Sequence, residues 1–113
     1  MYHGHAIYFK LDEHIQYELR PTLDLILAIE AQYGSFVKLA EKIEQQTLTL
    51  AEMRGILLIL LGIFEVRGEQ LDQAILRQGM VKLMVPIVEF IHLALVGLDG
   101  LAKAVEKNQL GKL

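Results

Sequence analysis

The stretch Thr49–Val66, TLAEMRGILLILLGIFEV, decides the fold. It opens as a helix opens. Thr49 is followed three residues on by Glu52, the spacing at which a threonine oxygen and a glutamate carboxylate cap each other's backbone amides. Beyond Gly55 no charge occurs until Glu65. Leu50, Met53, Leu57, Leu60, Leu61 and Phe64 recur at helical steps and form one stripe. Ile56, Ile59 and Ile63 form a second stripe on another side. A helix that is apolar on nearly every side must be covered on nearly every side. The expectation is a central helix running to Gly68, with the rest of the chain packed about it.

Outward from this segment the elements follow in order. Ala6–Leu11 and Ile15–Arg20 are short, β-rich runs across the polar link Asp12-Glu13-His14. In the second run Ile15, Tyr17 and Leu19 alternate with Gln16, Glu18 and Arg20, which predicts a β-hairpin with one apolar face on the helices. Pro21 ends the strand, because it has no amide to give to a ladder. Thr22 then caps a helix over Leu23–Tyr33, with Leu23, Ile26, Leu27, Glu30 and Ala31 on successive turns. Gly34 stands where a left-handed residue ends a helix, and Ser35 caps the next, Phe36–Glu44, with Phe36, Leu39, Ala40 and Ile43 inward.

After Gly68, residues Glu69–Gln78 form a short amphipathic helix with Leu71, Ile75 and Leu76 inward. Gly79 breaks it. Met80–Val96 is the last long helix, and Pro86 inside it predicts a kink or a restart. Its apolar residues occupy more than one side: Met80, Leu83, Met84, Ile87, Val88, Ile91 and Leu95 on one, Val85, Phe90 and Leu93 elsewhere. Residues 98–113 lose the pattern and are expected to fray. The fold class is therefore mainly α (α+β), an N-terminal β-hairpin packed on a four- to five-helix bundle, in one domain over residues 1–113.

Composition bounds the function. The chain is 53% hydrophobic with a net charge of −3, and its mean hydropathy is +0.36. An acidic balance argues against nucleic acid, whose phosphates call for a basic surface. A helix–turn–helix formed by Ser35–Glu44, a short link and Thr49 onward would present Leu, Ile and Met where base edges need polar side chains. There is no cysteine, hence no disulfide framework and no thiolate chemistry. The uncharged run Gly55–Phe64 is ten residues, about half a membrane span, and the longer C-terminal run carries Lys82, Glu89 and His92. No membrane role is expected. His3, His5 and His14 lack a fourth ligand, the acids are dispersed, and no phosphate loop or nucleophile motif occurs, so no metal, cofactor or catalytic residue is assigned. The surplus apolar surface is expected to meet protein. Candidate partner-binding residues are the second stripes, Ile56, Ile59 and Ile63 with Val85, Phe90 and Leu93.

The order hairpin, Pro-Thr, helix, Gly-Ser, helix, Thr-x-x-Glu, helix resembles the small tail proteins of gene transfer agents and prophages, grouped with tail assembly chaperones and also labelled tail tube proteins. The parts that carry it are Leu19-Arg20-Pro21-Thr22-Leu23, Ile29-Glu30, Gly34-Ser35, Leu39-Ala40-Glu41, Leu48–Ile56 and the Gly…Pro…aliphatic helix Gly79–Leu95. The resemblance covers roughly residues 6–97. It implies a non-enzymatic cytoplasmic helper of tail assembly, with the tape measure protein and tail tube protein as partners; the surplus apolar surface adds a homo-oligomer as a further expected association. Alternatives are a structural, virion-associated tail component and a small helical dimeric regulator.

Overall fold

In the computed structural model, backbone is described for residues 7–111 and side chains for residues 7–97. The order is β1 (Ile7–Lys10), β2 (Gln16–Leu19), α1 (Leu23–Tyr33), α2 (Phe36–Glu44), α3 (Leu50–Leu60), α4 (Gly68–Gln78) and α5 (Met80–Gly111). The hairpin on a five-helix bundle is the fold class read from the sequence. His3 and His5 lie outside the described residues.

The hairpin is antiparallel, with Ile7 opposite Leu19 and Phe9 opposite Tyr17. The alternation of side chains then puts Ile7, Phe9 and Leu19 in the core and leaves Tyr8 and Lys10 outside. Its loop is organised by one carboxylate: Asp12 Oδ1 accepts from the amides of His14 (2.7 Å) and Ile15 (2.9 Å). Those bonds, His14's above all, hold the Asp12 carboxyl below its ordinary pKa. The far end of α4 secures the hairpin, since Gln78 Nε2 donates to the carbonyls of Lys10 (2.9 Å) and Leu11 (3.1 Å).

Side-chain caps set the helix starts. Thr22 Oγ1 accepts from Leu25 and Ser35 Oγ from Lys38, each at 3.2 Å. Between α1 and α2 the chain turns at Gly34, whose φ of 92° is costly for any residue with a Cβ. Glu30 reaches across that corner and accepts from the Phe36 amide at 2.9 Å. At α3 the reciprocal cap is present: Glu52 donates its amide to Thr49 Oγ1 (3.1 Å), and the Thr49 amide donates to Glu52 Oε1 (3.0 Å). The other oxygen, Glu52 Oε2, takes Lys42 Nζ of α2 at 2.8 Å. One carboxylate thus joins two helices.

Packing departs from the sequence expectation in five places. α3 ends at Leu60, not Gly68. A 3₁₀ turn, Gly62–Phe64, follows, and Glu65 closes it in the left-handed conformation (φ 57°). The turn carries Phe64 onto Tyr17 of the hairpin, the rings stacking at 4.4 Å, and this stacking is what a straight helix would forfeit. Gly68 opens α4 instead of closing α3, and Arg54 of α3 lies over it, its guanidinium held by Asp72 of α4 through Nε–Oδ1 (2.6 Å) and Nη2–Oδ2 (3.2 Å). In α1 the inward residues are Leu25, Ile26, Ile29 and Tyr33, while Leu23 and Leu27 face out. In α4 Leu71 and Ala74 are buried, Ile75 packs against the core and Leu76 is exposed. In α5 the backbone stays helical through Pro86 and breaks at Gly97 (φ 73°, ψ 170°), and it is helical again to Gly111 where fraying was expected. Pro86 is buried, so packing offsets the single helix bond its missing amide removes.

The core is shared between two helices. α3 contacts α1, α4 and α5, while α5 contacts α2, α3, α4 and β1. Phe90 of α5 meets Phe36 of α2 with ring centres 6.2 Å apart and tilted at 60°. Tyr33 of α1 lies on Gly55 of α3, where a Cβ would overlap its hydroxyl and stand 2.6 Å from its Cζ.

Two outcomes follow from these joints. Gly55→Ala gains about 1 kcal/mol of helix propensity but overpacks against Tyr33 at about 1–3 kcal/mol, so urea denaturation should show a net loss of about 1 kcal/mol. In a Tyr33→Ser background the same change should become stabilising, as a double-mutant cycle would reveal. Glu52 is held at about 2, first by the Lys42 ammonium and then by the Thr49 amide, against an ordinary 4.5. A lowered acid pKa stabilises above the unfolded value, so this contribution should be full above pH 4.5 and vanish as pH falls toward 2. Thermal unfolding between those limits should show a smaller acid loss in Glu52→Gln than in the wild type.

Candidate functional site

Helix α5 has two apolar sides. Leu83, Ile87, Phe90 and Ile91 are buried against the bundle, with Leu93 buried on the flank. On the opposite side Val81 (84% exposed), Val85 (54%), Val88 (38%) and Leu95 (44%) face solvent. His92 stands among them and is exposed as well. These five positions succeed one another at steps of four, three, four and three, so at 100° per residue they span about 80° of the helix. Val96 (42% exposed) adjoins the stripe, and the helical backbone breaks at the next residue, Gly97.

The stripe runs between two shallow grooves. Toward α2, Val88, His92 and Leu95 line a groove with Ala40, Ile43 and Glu44. Toward the hairpin, Val85 and Pro86 line a second with Tyr8, itself 51% exposed, and Gln16. An apolar ridge with a groove on each side is the form that receives another helix. The segment Met80–Gly97 has a mean hydropathy of 1.8, long and apolar enough by length and composition to cross a membrane, and one third of it is buried in the bundle.

The expected contact residues divide. Ile63 (65% exposed) and Val85 are on the surface and Ile59 is half-buried. Ile56 and Phe90 are each 1% exposed and Leu93 is 4% exposed, so these three are core and offer nothing to a partner. Ile56 packs inward because α3 is covered by α1, α4 and α5; Phe90 because it meets Phe36. Ile63 lies on the 3₁₀ turn, away from α5's stripe in sequence and in element. Val81 belongs to neither expected stripe, and Val88 and Leu95, grouped by periodicity with Leu83, Ile87 and Ile91, are exposed where those three are buried. The overlooked signal is side-chain size: α5 carries Leu, Ile and Phe on its buried side and mostly Val on the exposed one.

Elsewhere the surface offers less chemistry. A cleft of about 600 Å³ lies between the hairpin loop and the α4–α5 corner and is lined by Lys10, Asp12, Glu13, His14, Arg77, Gln78 and Lys82. Its charges alternate in sign, so neither an anion nor a cation meets a site of one polarity. Among the described residues no cluster of three His, Cys, Asp or Glu could hold a metal, and no polar or charged residue is buried. The shifted groups are structural: Asp72 is lowered by the Arg54 guanidinium, and Arg54 is raised by the same pair. No protein-family model, curated protein or solved structure matches the chain.

The two sides of α5 should respond differently to truncation. Val81→Ser should change unfolding free energy by no more than about 0.5 kcal/mol, whereas Phe90→Ala should cost about 3–5 kcal/mol. Chemical denaturation of the two variants against the wild type measures the contrast.

Proposed function

We propose that this protein is a non-enzymatic tail assembly chaperone of the phage or gene-transfer-agent type, working in the cytoplasm of a bacterial host. Its exposed α5 stripe would hold apolar helical segments of the tape measure protein until tail tube protein surrounds them. The observation that carries this reading is the stripe: a row of apolar side chains at helical spacing, on the segment Met80–Gly97, one third buried, bordered by grooves on both sides. The identity of the client rests on the resemblance of Leu19–Leu23, Gly34-Ser35, Leu48–Ile56 and Gly79–Leu95 to that family. The observed caps at Thr22, Ser35 and Thr49 and the left-handed Gly34 and Gly79 give those motifs a physical role.

The chemistry is consistent with shielding. Among the described residues no polar or charged residue is buried, and the groups with shifted pKa values take part in the hairpin loop and in contacts between helices. Helix-in-groove binding needs only apolar anchors at i, i+4 and i+7, which Val81, Val85 and Val88 supply.

Co-expression with the tape measure protein encoded beside it is the test. The wild type should co-purify with that protein and raise its soluble fraction, and Val85→Glu should abolish both effects while leaving the chaperone folded by circular dichroism. No complex and no gain in solubility with the wild type would overturn the proposal. Stoichiometric recovery of the protein from purified particles by mass spectrometry would instead make it a tail component.

A further inference from the structure

We infer that the outer edge of the hairpin docks a second copy of this chain, β2 pairing antiparallel with the partner's β2 into one four-stranded sheet. This goes beyond the chaperone reading and leaves the α5 stripe open to a client. The ladder fixes which backbone groups are already used. Its register runs from Ile7 opposite Leu19 to Lys10 opposite Gln16. One step nearer the loop, the Leu11 amide donates to the Ile15 carbonyl at 2.9 Å. Bonded and non-bonded pairs alternate along an antiparallel ladder, so Phe9–Tyr17 and Ile7–Leu19 exchange bonds while Lys10–Gln16 and Tyr8–Glu18 do not. The backbone groups of those last four residues point away from the hairpin. On the β1 side that edge is occupied: the Lys10 carbonyl accepts from Gln78 Nε2, and β1 lies against α5. On the β2 side the amides and carbonyls of Gln16 and Glu18 have no hydrogen-bond partner among the described residues, and both residues are exposed.

Such an edge takes an extended backbone whose unpaired groups have the same spacing. A second β2 has that spacing. With a two-fold axis at Tyr17, Gln16 stands opposite the partner's Glu18, and Glu18 opposite the partner's Gln16. All four outward amides then meet outward carbonyls. On the exposed side each Gln16 carboxamide can donate to the facing carboxylate, which keeps Arg20 beside it at 3.9 Å. On the inner side Tyr17 lies directly across from the partner's Tyr17 and extends the stack it makes with Phe64. The neighbouring registers are poorer. A shift one way sets Glu18 on the partner's Glu18, like charge on like. A shift the other way brings Glu18 to the partner's His14, whose amide is already given to the Asp12 carboxylate. Two strands alone make a marginal sheet, and pairing doubles their number.

In sedimentation of the full chain, mass should rise with concentration from 12.8 kDa toward twice that value. Over the same range, hydrogen exchange at the Gln16 and Glu18 amides should slow. Glu18→Pro deletes an outward amide and none of the bonds between β1 and β2, so it should weaken association more than about tenfold with unchanged circular dichroism. Val85→Glu, which disables the proposed client surface, should dimerise as the wild type does. The sequence has no cysteine, so cross-links report only introduced thiols. Gln16→Cys mixed with Glu18→Cys should oxidise to a mixed disulfide, and Gln16→Cys alone should not link to itself, its copies standing about 7–8 Å apart along the diagonal. A wild type monomeric at every soluble concentration overturns the inference. So does a dimer in which the Gln16 and Glu18 amides exchange as fast as in the monomer, a Glu18→Pro dimer as tight as the wild type, loss of the dimer in Val85→Glu, or self-linking of Gln16→Cys.

Discussion

The contact between α5 and the rest of the bundle is the constraint on which this structure depends. Phe90 against Phe36 joins α5 to α2, and Leu83, Ile87 and Ile91 extend the same buried side toward the other elements. α5 touches α2, α3, α4 and β1, so removing it would uncover the hairpin and three helices together. α3 does the complementary work from within. A chain of 113 residues has limited apolar area to bury, and here two helices share it instead of one monopolising it.

Around that shared core, polar groups act at the corners. Glu52 caps its own helix and takes the Lys42 ammonium of the preceding one. Glu30 accepts from the first amide of α2 across the Gly34 turn. Arg54 and Asp72 fix α4 to α3 above a glycine that leaves room for the guanidinium. Each fixes the angle between neighbouring helices at the surface, where charged groups keep their hydration. The interior is left to apolar packing, and the outer side of α5 is left exposed as the proposed contact surface.

Elements with explicit punctuation were legible in the sequence. Thr22, Gly34, Ser35 and the Thr49–Glu52 pair delimit α1, α2 and the start of α3, and these boundaries coincide with the observed ones. Boundaries that depend on tertiary contact were not. α3 stops at Leu60 because Phe64 stacks on Tyr17, a residue distant in sequence. Pro86 reads locally as a break, yet it is buried in an unbroken stretch, and Gly97 breaks the helix instead. The candidate site shows the same limit. Greasiness on more than one side of α5 was visible, but periodicity cannot say which side faces in. Val85 was placed correctly at the surface, while Phe90 and Leu93 were not.

Gly97 has one more consequence. With φ at 73° and ψ at 170° it occupies a conformation open essentially to glycine alone. The ridge therefore has a fixed terminus, and from Val81 to Val96 it measures about 22 Å at 1.5 Å per residue. A longer client helix, bound as proposed, would overhang it and a shorter one would leave it partly wet, so the missing side chain at one position would act as the end-stop of a molecular ruler.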